Sequence, residues 1–285
     1  MKYVTLRNGW RVYRVTEADP CRVCAKGDWC VHIDGGGSLC QRVESPRRVG
    51  DAGWYHPDGG GHEPTRVEPP RDVPPDYGGM LRAQRRYVAA LSTDDERWRE
   101  LVGDVGVDEP ILRSLGVGWS AEAGAYSWPM RDGDGRIVGI RYRALNGRKW
   151  ALPGSRGGLF IAENDPLGMI MMPEGPSDTA VLRELGFSVW GRPDSRSSHH
   201  WARHRLLKMR KVGMTIDELV VIGDDDSAGI SGAETFASQI ARAAPMGVRV
   251  LIPPRGMDIR QWVDDFAITA PMLSAYAKSR ELIHG

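Results

Sequence analysis

Glu174 in Glu174-Gly175, Asp224 and Asp226 in Asp224-Asp225-Asp226, and Asp258 each follow a short apolar run, such as Met169–Met172 or Leu219–Ile222, closed by Pro or Gly. Strands covered on both faces read this way, so the acids collect where strands end. In open α/β sheets ligands bind outside those ends. Carboxylates gathered there offer hard oxygen ligands to Mg²⁺ or Mn²⁺, cations that keep coordination positions open for phosphate. Asp224 and Asp226, two apart on an extended segment, leave the same face, with Asp225 turned away as a cap or supporting group. The competing reading is a turn whose acids cap helices.

A second cluster is made of thiols. Cys21-x-x-Cys24 is followed by Cys30 and Cys40, and Gly27 and Gly35-Gly36-Gly37 free the intervening turns to wrap an ion. Four such ligands suit a closed, structural Zn²⁺ site. His32 is an alternative to Cys30, and free thiols in a small β unit are the alternative to a metal. A unit this small lacks a self-sufficient core, so metal binding would supply its folding energy.

Charge is segregated along the chain. Arg136, Arg141, Arg143, Arg148, Lys149 and Arg156 lie in a stretch without acids, whereas Asp217 to Asp226 holds five acids and no base. That pattern fits a place where metal and polyphosphate meet, or else two solvated faces. Trp29, Trp150 and Trp201 lie in the cysteine unit or beside basic residues and are candidates to stack on bases, against the alternative of core burial. His199, His200 and His204 offer either a second metal site or a solvated helix face.

The elements that position these groups follow from periodicity. Helical patterning spans Met80 to Leu91, and Tyr126–Met130 and Ile137–Tyr142 flank Asp132-Gly133-Asp134-Gly135 as a hairpin. Then come a strand at Met169–Met172, a helix from Ser177 to Leu185 stopped by Gly186, a strand at Phe187–Trp190 and a basic helix within His199–Lys211. The Leu219 strand, a helix opening at Ser231 with Glu234 as a capping box, a strand at Val248–Ile252 and a helix at Ile259–Ala267 complete the series. Such alternation argues for a parallel sheet with right-handed crossovers.

At 285 residues the chain has room for two or three compact units, and a net charge of +1 neither favours nor excludes a polyanionic partner. All four cysteines fall between Cys21 and Cys40, the wrong distribution for a disulfide-stapled secreted fold. No apolar run approaches a membrane span, and the charged N-terminus lacks a signal-peptide core. The expectation is a soluble, cytoplasmic protein with no membrane partner.

Several segments carry a resemblance. MPEGPSDTAVLRELG resembles the Glu-Gly motif of TOPRIM domains, and VVIGDDDSAGISGA resembles their Asp-x-Asp-x-x-Gly motif. LIPPRGMDIRQWV resembles the Pro-x-Gly-x-Asp segment that follows in primases. Upstream, RDGDGRIVGIRYRALNGRKWALPGSRGGLF resembles the basic subdomain of DnaG-type bacterial and phage primases, and the cysteine cluster stands where their zinc ribbon lies. The resemblance implies an α/β fold: a TOPRIM, Rossmann-like parallel sheet, a mixed α+β basic subdomain and an N-terminal zinc ribbon. The expected order is ribbon 1–48, Gly/Pro-rich linker 49–79, basic subdomain 80–160, TOPRIM domain 161–270 and C-terminal helix or tail 271–285.

Carried over by position, the resemblance makes Glu174, Asp224 and Asp226 the catalytic acids, with Asp258 a further ligand of Mg²⁺ or Mn²⁺. It makes Cys21, Cys24, Cys30 and Cys40 the zinc ligands. Arg143 and Lys149 would meet triphosphate, and Arg141, Arg148 and Trp150 would join them against nucleic acid. The implied activity is a DNA primase, building short primers on single-stranded DNA from nucleoside triphosphates. No Gly-x-x-x-x-Gly-Lys-Ser/Thr occurs, so a replicative helicase would act in trans, and the compact layout resembles phage or mobile-element primases. The rivals are a TOPRIM metal-dependent nuclease, which needs an activated water instead of a triphosphate, and a non-catalytic zinc-bearing DNA-binding adaptor.

Overall fold

The computed structural model describes residues 3–6, 9–49, 52–58, 74–162, 168–194, 197–214, 216–244, 247–254 and 256–284. The chain forms two compact units, residues 1–74 and 75–285. In the first, five short strands pair antiparallel in chain order: β1 (Val4–Thr5), β2 (Arg11–Arg14), β3 (Val31–Ile33), β4 (Ser38–Cys40) and β5 (Trp54–His56). Trp10, Val12, Ile33, Leu39 and Tyr55 are its core. Gly37 holds φ +104°, and a Cβ there would stand 2.7 Å from the Tyr55 ring, so the turn into β4 requires glycine. The ribbon therefore runs past Arg48 into the expected linker, because Tyr55 completes the core opposite Leu39. The rest of that linker, residues 59–73, lies outside the described residues.

The second unit opens with α1 (Tyr77–Ser92), three residues ahead of the expected start; Asp76 caps it by accepting from Gly79 N at 2.8 Å. Helices α2 (Asp95–Val105) and α3 (Glu109–Ser114) follow, then an antiparallel sheet of β6 (Gly118–Ser120), β7 (Ala125–Arg131), β8 (Ile137–Arg143) and β9 (Lys149–Ala151). β7 and β8 are the expected hairpin.

The α/β half comprises β10 (Met169–Met172), α4 (Pro176–Glu184), β11 (Ser188–Val189), α5 (His199–Lys211), β12 (Glu218–Ile222), α6 (Ser227–Ala241), β13 (Val248–Leu251), α7 (Ile259–Phe266), α8 (Ala270–Lys278) and β14 (Leu282–Ile283). The strand order is β11-β10-β12-β13-β14, parallel except for the β13–β14 pair. The C-terminal segment thus contributes a strand to the sheet as well as the expected helix. Both faces are covered. Met171, Val220, Ile222 and Leu251 pack with α2, α3, α4, α7 and the β7 residues Tyr126, Trp128 and Met130. Ile170, Met172, Leu219 and Val221 pack on α5 and α6.

Two expected helix starts move. α4 begins at Pro176 behind Gly175, so Ser177 lies inside it. α6 begins at Ser227, where Asp226 accepts from Gly229 N at 2.7 Å, leaving Ser231 and Glu234 within the helix. Between the sheets, Leu159 exchanges two 2.8 Å backbone hydrogen bonds with Arg131, and Phe160 bonds Gly191 in both directions at 2.8 and 3.0 Å. The basic sheet and the α/β sheet are thereby tied through consecutive residues and share one apolar cluster.

That shared core makes residues 75–285 a single cooperative unit. Trp128, 1 % exposed at its centre, should cost about 3–5 kcal/mol when changed to Ala. Denaturant unfolding followed separately on the β6–β9 sheet and on the α/β sheet should then move to one lower, coincident midpoint; separated midpoints would mean two domains.

Candidate functional site

In the first unit, Cys21 and Cys24 come from the β2–β3 loop, Cys30 from the residue before β3 and Cys40 from the end of β4. Their sulfurs all lie within 4.8 Å of one another. Cys24 Sγ is 3.7 Å from Cys30 Sγ, which is 3.9 Å from Cys40 Sγ. A tetrahedron with Zn–S bonds of about 2.3 Å sets sulfur separations of about 3.8 Å, so the cluster fits a structural zinc. His32 is not a member: its Nδ1 lies 3.1 Å from Ser38 Oγ. Burial pushes the Cys30 thiol up to about 12 and raises Cys40, whereas at Cys24 burial is outweighed by the Lys26 backbone hydrogen bond and neighbouring thiols, which bring it to about 7. A buried thiol that high gives up its proton only to a cation. Zinc uptake should therefore release protons and weaken as pH falls.

The second unit carries the acids. Among flavodoxin-ordered sheets the ligand crevice opens where strand order reverses. Here that switch lies between β10 and β12. Glu174 follows β10 and Asp224 follows β12, so both stand at the crevice. Burial raises the Glu174 carboxyl, and the Asp224 charge raises it further. Asp224 is raised by burial, then by Asp258 and Asp226. Asp178, in the first turn of α4 and 8 % exposed, is raised well above the usual range by burial and by Asp258 and Asp224. Gly229 sets the approach of α6: a Cβ there would stand 2.5 Å from Asp224 O. That contact explains a glycine five residues after Asp224.

The four expected acids are not equivalent. Asp226 caps α6, and Asp258 caps α7 by accepting from Gln261 N at 2.8 Å in a reciprocal capping box. Asp225, expected to face away, accepts from Gly256 N at 2.6 Å and so holds the loop before α7. Among the described residues, only the cysteines converge closely enough to form a ready-made metal cage. The acids instead form a looser, mutually repelling group, with Asp178 as a member that the spacing of strand-end acids does not reveal.

Three cations answer that charge, and the first of them, Arg260 of α7, lowers Asp178. Lys149 on β9 is exposed, and its charge lowers Glu174, Asp178 and Asp224 alike. Arg192 is completely buried. Its Nε donates to Met172 O at 3.2 Å and its Nη2 to Ile222 O at 2.5 Å, the last carbonyls of β10 and β12. Its guanidinium lies 4.9 Å over the Phe236 ring. Burial lowers Arg192 to about 10, against the charges of Glu174, Asp194 and Asp224, which favour its protonated form. It is the cation under the switch point.

The expected basic residues divide by face. β8–β9 pairing sets Arg143 opposite Lys149, Arg141 opposite Ala151 and Tyr142 opposite Trp150. Arg141, Arg143 and Lys149 thus share one face and Trp150 lies on the other. Trp150 packs 5.4 Å from Tyr142 beside α1 residues, with Arg148 at 4.7 Å over its ring. Arg143 is 6 % exposed and ion-paired with Asp104 of α2. The resemblance sets it against triphosphate and template; here its guanidinium is buried and matched to a carboxylate of the same unit. Trp201 donates from Nε1 to Gly157 O at 2.9 Å and packs against the α5–α6 core, whereas Trp29 is 76 % exposed.

A four-cysteine cage in the first unit and a switch-point α/β sheet bearing acids in the second give a TOPRIM-like α/β fold with a ribbon unit suited to zinc. The fold of the second unit is that of the DnaG primase catalytic core. A solved DnaG catalytic core covers 72 % of this chain and 80 % of its own at TM-score 0.56 and 14 % identity. A DnaG primase catalytic domain bound to ssDNA covers 72 % and 81 % at TM-score 0.55 and 14 % identity. The zinc-binding and RNA polymerase domains of the Aquifex aeolicus primase cover 73 % and 61 % at TM-score 0.56 and 17 % identity. No protein-family model and no curated protein matches the sequence. No described helix is long and apolar enough to cross a membrane.

Two measurements test these assignments. Cys24→Ser should abolish stoichiometric zinc, read by metal analysis, and make residues 1–58 protease-sensitive while residues 75–285 resist. For the acids the sign follows from raised folded-state values. Their contribution to stability is fully present below the unfolded value of about 4 and is lost as pH rises through the folded one. With no divalent cation added, the Tm of Asp224→Asn minus that of the unaltered protein should therefore be near zero at pH 4 and positive at pH 7. Mg²⁺ should raise the Tm of the unaltered protein more than that of the variant.

Proposed function

We propose that this chain is a DNA primase, joining nucleotides into short primers on single-stranded DNA in the presence of Mg²⁺ or Mn²⁺. The observation that carries the reading is the DnaG-core fold across 72 % of the chain, with Glu174 and Asp224 at its switch point and Lys149 facing them. Glu174, Asp224 and Asp178 suit a divalent cation because each is an acid whose ionised form is penalised by burial and by its neighbours. A bound cation would remove that penalty and neutralise charge on the nucleotide phosphates.

The chain's own residues then position and screen. A primer 3′-hydroxyl gives up its proton to water as its oxygen bonds the α-phosphorus of the incoming nucleotide, while the bond from that phosphorus to the oxygen bridging to the β-phosphate breaks and pyrophosphate leaves. Lys149, with Arg141 on the same face, counters the phosphate charge. Arg192 keeps the ends of β10 and β12, and so Glu174 and Asp224, at fixed spacing. Template would follow the basic β8–β9 surface with Arg148, and exposed Trp29 offers a ring for a base in the zinc unit. The solved neighbour bound to ssDNA supports that substrate class. A replicative helicase in trans and a mobile-element setting belong to the same proposal.

De novo synthesis on single-stranded DNA with labelled nucleoside triphosphates and Mg²⁺ decides it. Short products should appear and fall by about 10²-fold or more in Asp224→Asn, the scale seen when a preorganised charge-stabilising group is removed. Template degraded without new product would replace the primase with the nuclease, and neither product nor degradation would leave the adaptor.

A further inference from the structure

The side of the α/β sheet covered by α5 and α6 carries a cavity of about 920 Å³ between those helices. That is within the roughly 300–1,000 Å³ of ligand pockets, yet its composition is not that of an apolar pocket. His199, His200 and His204 line it with Arg203 and Arg242; Leu207 is the one large apolar side chain, and the remainder are hydroxyls and an amide. No acid lines it, and none of Glu174, Asp178 or Asp224 borders it.

The charges are also uncommitted. Neither Arg203 nor Arg242 has a carboxylate partner among the described residues, and both are exposed. Asp134 stands 3.4 Å from His204 Nε2, and that carboxylate is already held by Lys208 at 2.8 Å. His199 Nδ1 is buried without a hydrogen-bond partner among the described residues. Among the described residues the histidines do not converge closely enough to form a ready-made metal cage.

We propose that this cleft is a second phosphate-binding site, separate from the acid-bearing edge. Guanidinium forks recognise phosphate through paired hydrogen bonds, and imidazole and hydroxyl donors complete an anion's shell. Phosphate of this kind comes either from a nucleic-acid backbone or from a free polyphosphate. The cleft is formed by α5 and α6, and none of Arg141, Arg148 or Lys149 lines it, so a strand held here is held at a second point.

The test uses the full chain, without added divalent cation, and two probes: a fluorescein-labelled oligothymidylate and inorganic tripolyphosphate. Arg203→Ala/Arg242→Ala should weaken oligothymidylate binding about tenfold at low salt. It should flatten the slope of log K against log salt by about 1.4, two contacts at about 0.7 each for single strands. Arg203→Lys/Arg242→Lys should retain most of that slope, whether or not primer synthesis is ever detected. Unchanged oligothymidylate binding with lost tripolyphosphate binding would assign the site to a free polyphosphate. Unchanged binding of both probes in a variant with unaltered circular dichroism overturns the proposal.

Discussion

Like charge held out of water governs the second unit. Asp224 raises the proton affinity of Glu174 and Asp178, and Asp258 and Asp226 raise that of Asp224, in a place where burial already disfavours ionisation. Uncompensated charge in a protein interior is expensive, and the protein limits it with Arg192 and Lys149 and, at Asp178, with Arg260. Arg192 acts from within, bonded to the two carbonyls that end β10 and β12, and Lys149 acts from the exposed edge of the other sheet. Gly229 and the caps at Asp226 and Asp258 then fix the backbone that carries the acids. Compensation is partial, since the acids remain raised despite these cations. The residual penalty is the part that a bound cation would relieve.

How far the sequence reveals this depends on how local each signal is. The β10 and β12 runs are legible because an apolar stretch bounded by Pro or Gly is a property of adjacent residues. The β7–β8 hairpin is legible for the same reason. β5 is hidden because Trp54-Tyr55-His56 sits in a Gly- and Pro-rich stretch, and only pairing with β4 makes it a strand. β14 is two residues long and exists through its pairing with β13. Ser231 and Asp226 are both good helix caps by type; the close approach of Gly229 to Asp224 decides for Asp226.

At the site, period two correctly places Arg141, Arg143 and Lys149 on one face, yet it cannot say which is already paired. Arg143 finds Asp104, thirty-nine positions earlier on α2. Arg192 is the least legible residue. An arginine between Gly191 and Pro193 in a loop reads as solvent-facing, and its complete burial follows only from the strand ends it joins. Asp178 is similar: an acid in a helix's first turn reads as dipole compensation until the neighbouring Asp224 and Asp258 are in place.

Leu159 and Phe160 are successive residues, and successive residues of an extended chain face opposite ways. One joins the basic sheet at Arg131 and the other joins the α/β sheet at Gly191. The two sheets are therefore phased by a single peptide unit. Inserting or deleting one residue there would leave every strand intact while exchanging the inward and outward sides of the join. The length of this segment is consequently as strict a constraint as its residue types, which a Cβ at Gly158, 2.7 Å from Arg131 O, and the burial of Leu159 and Phe160 already narrow.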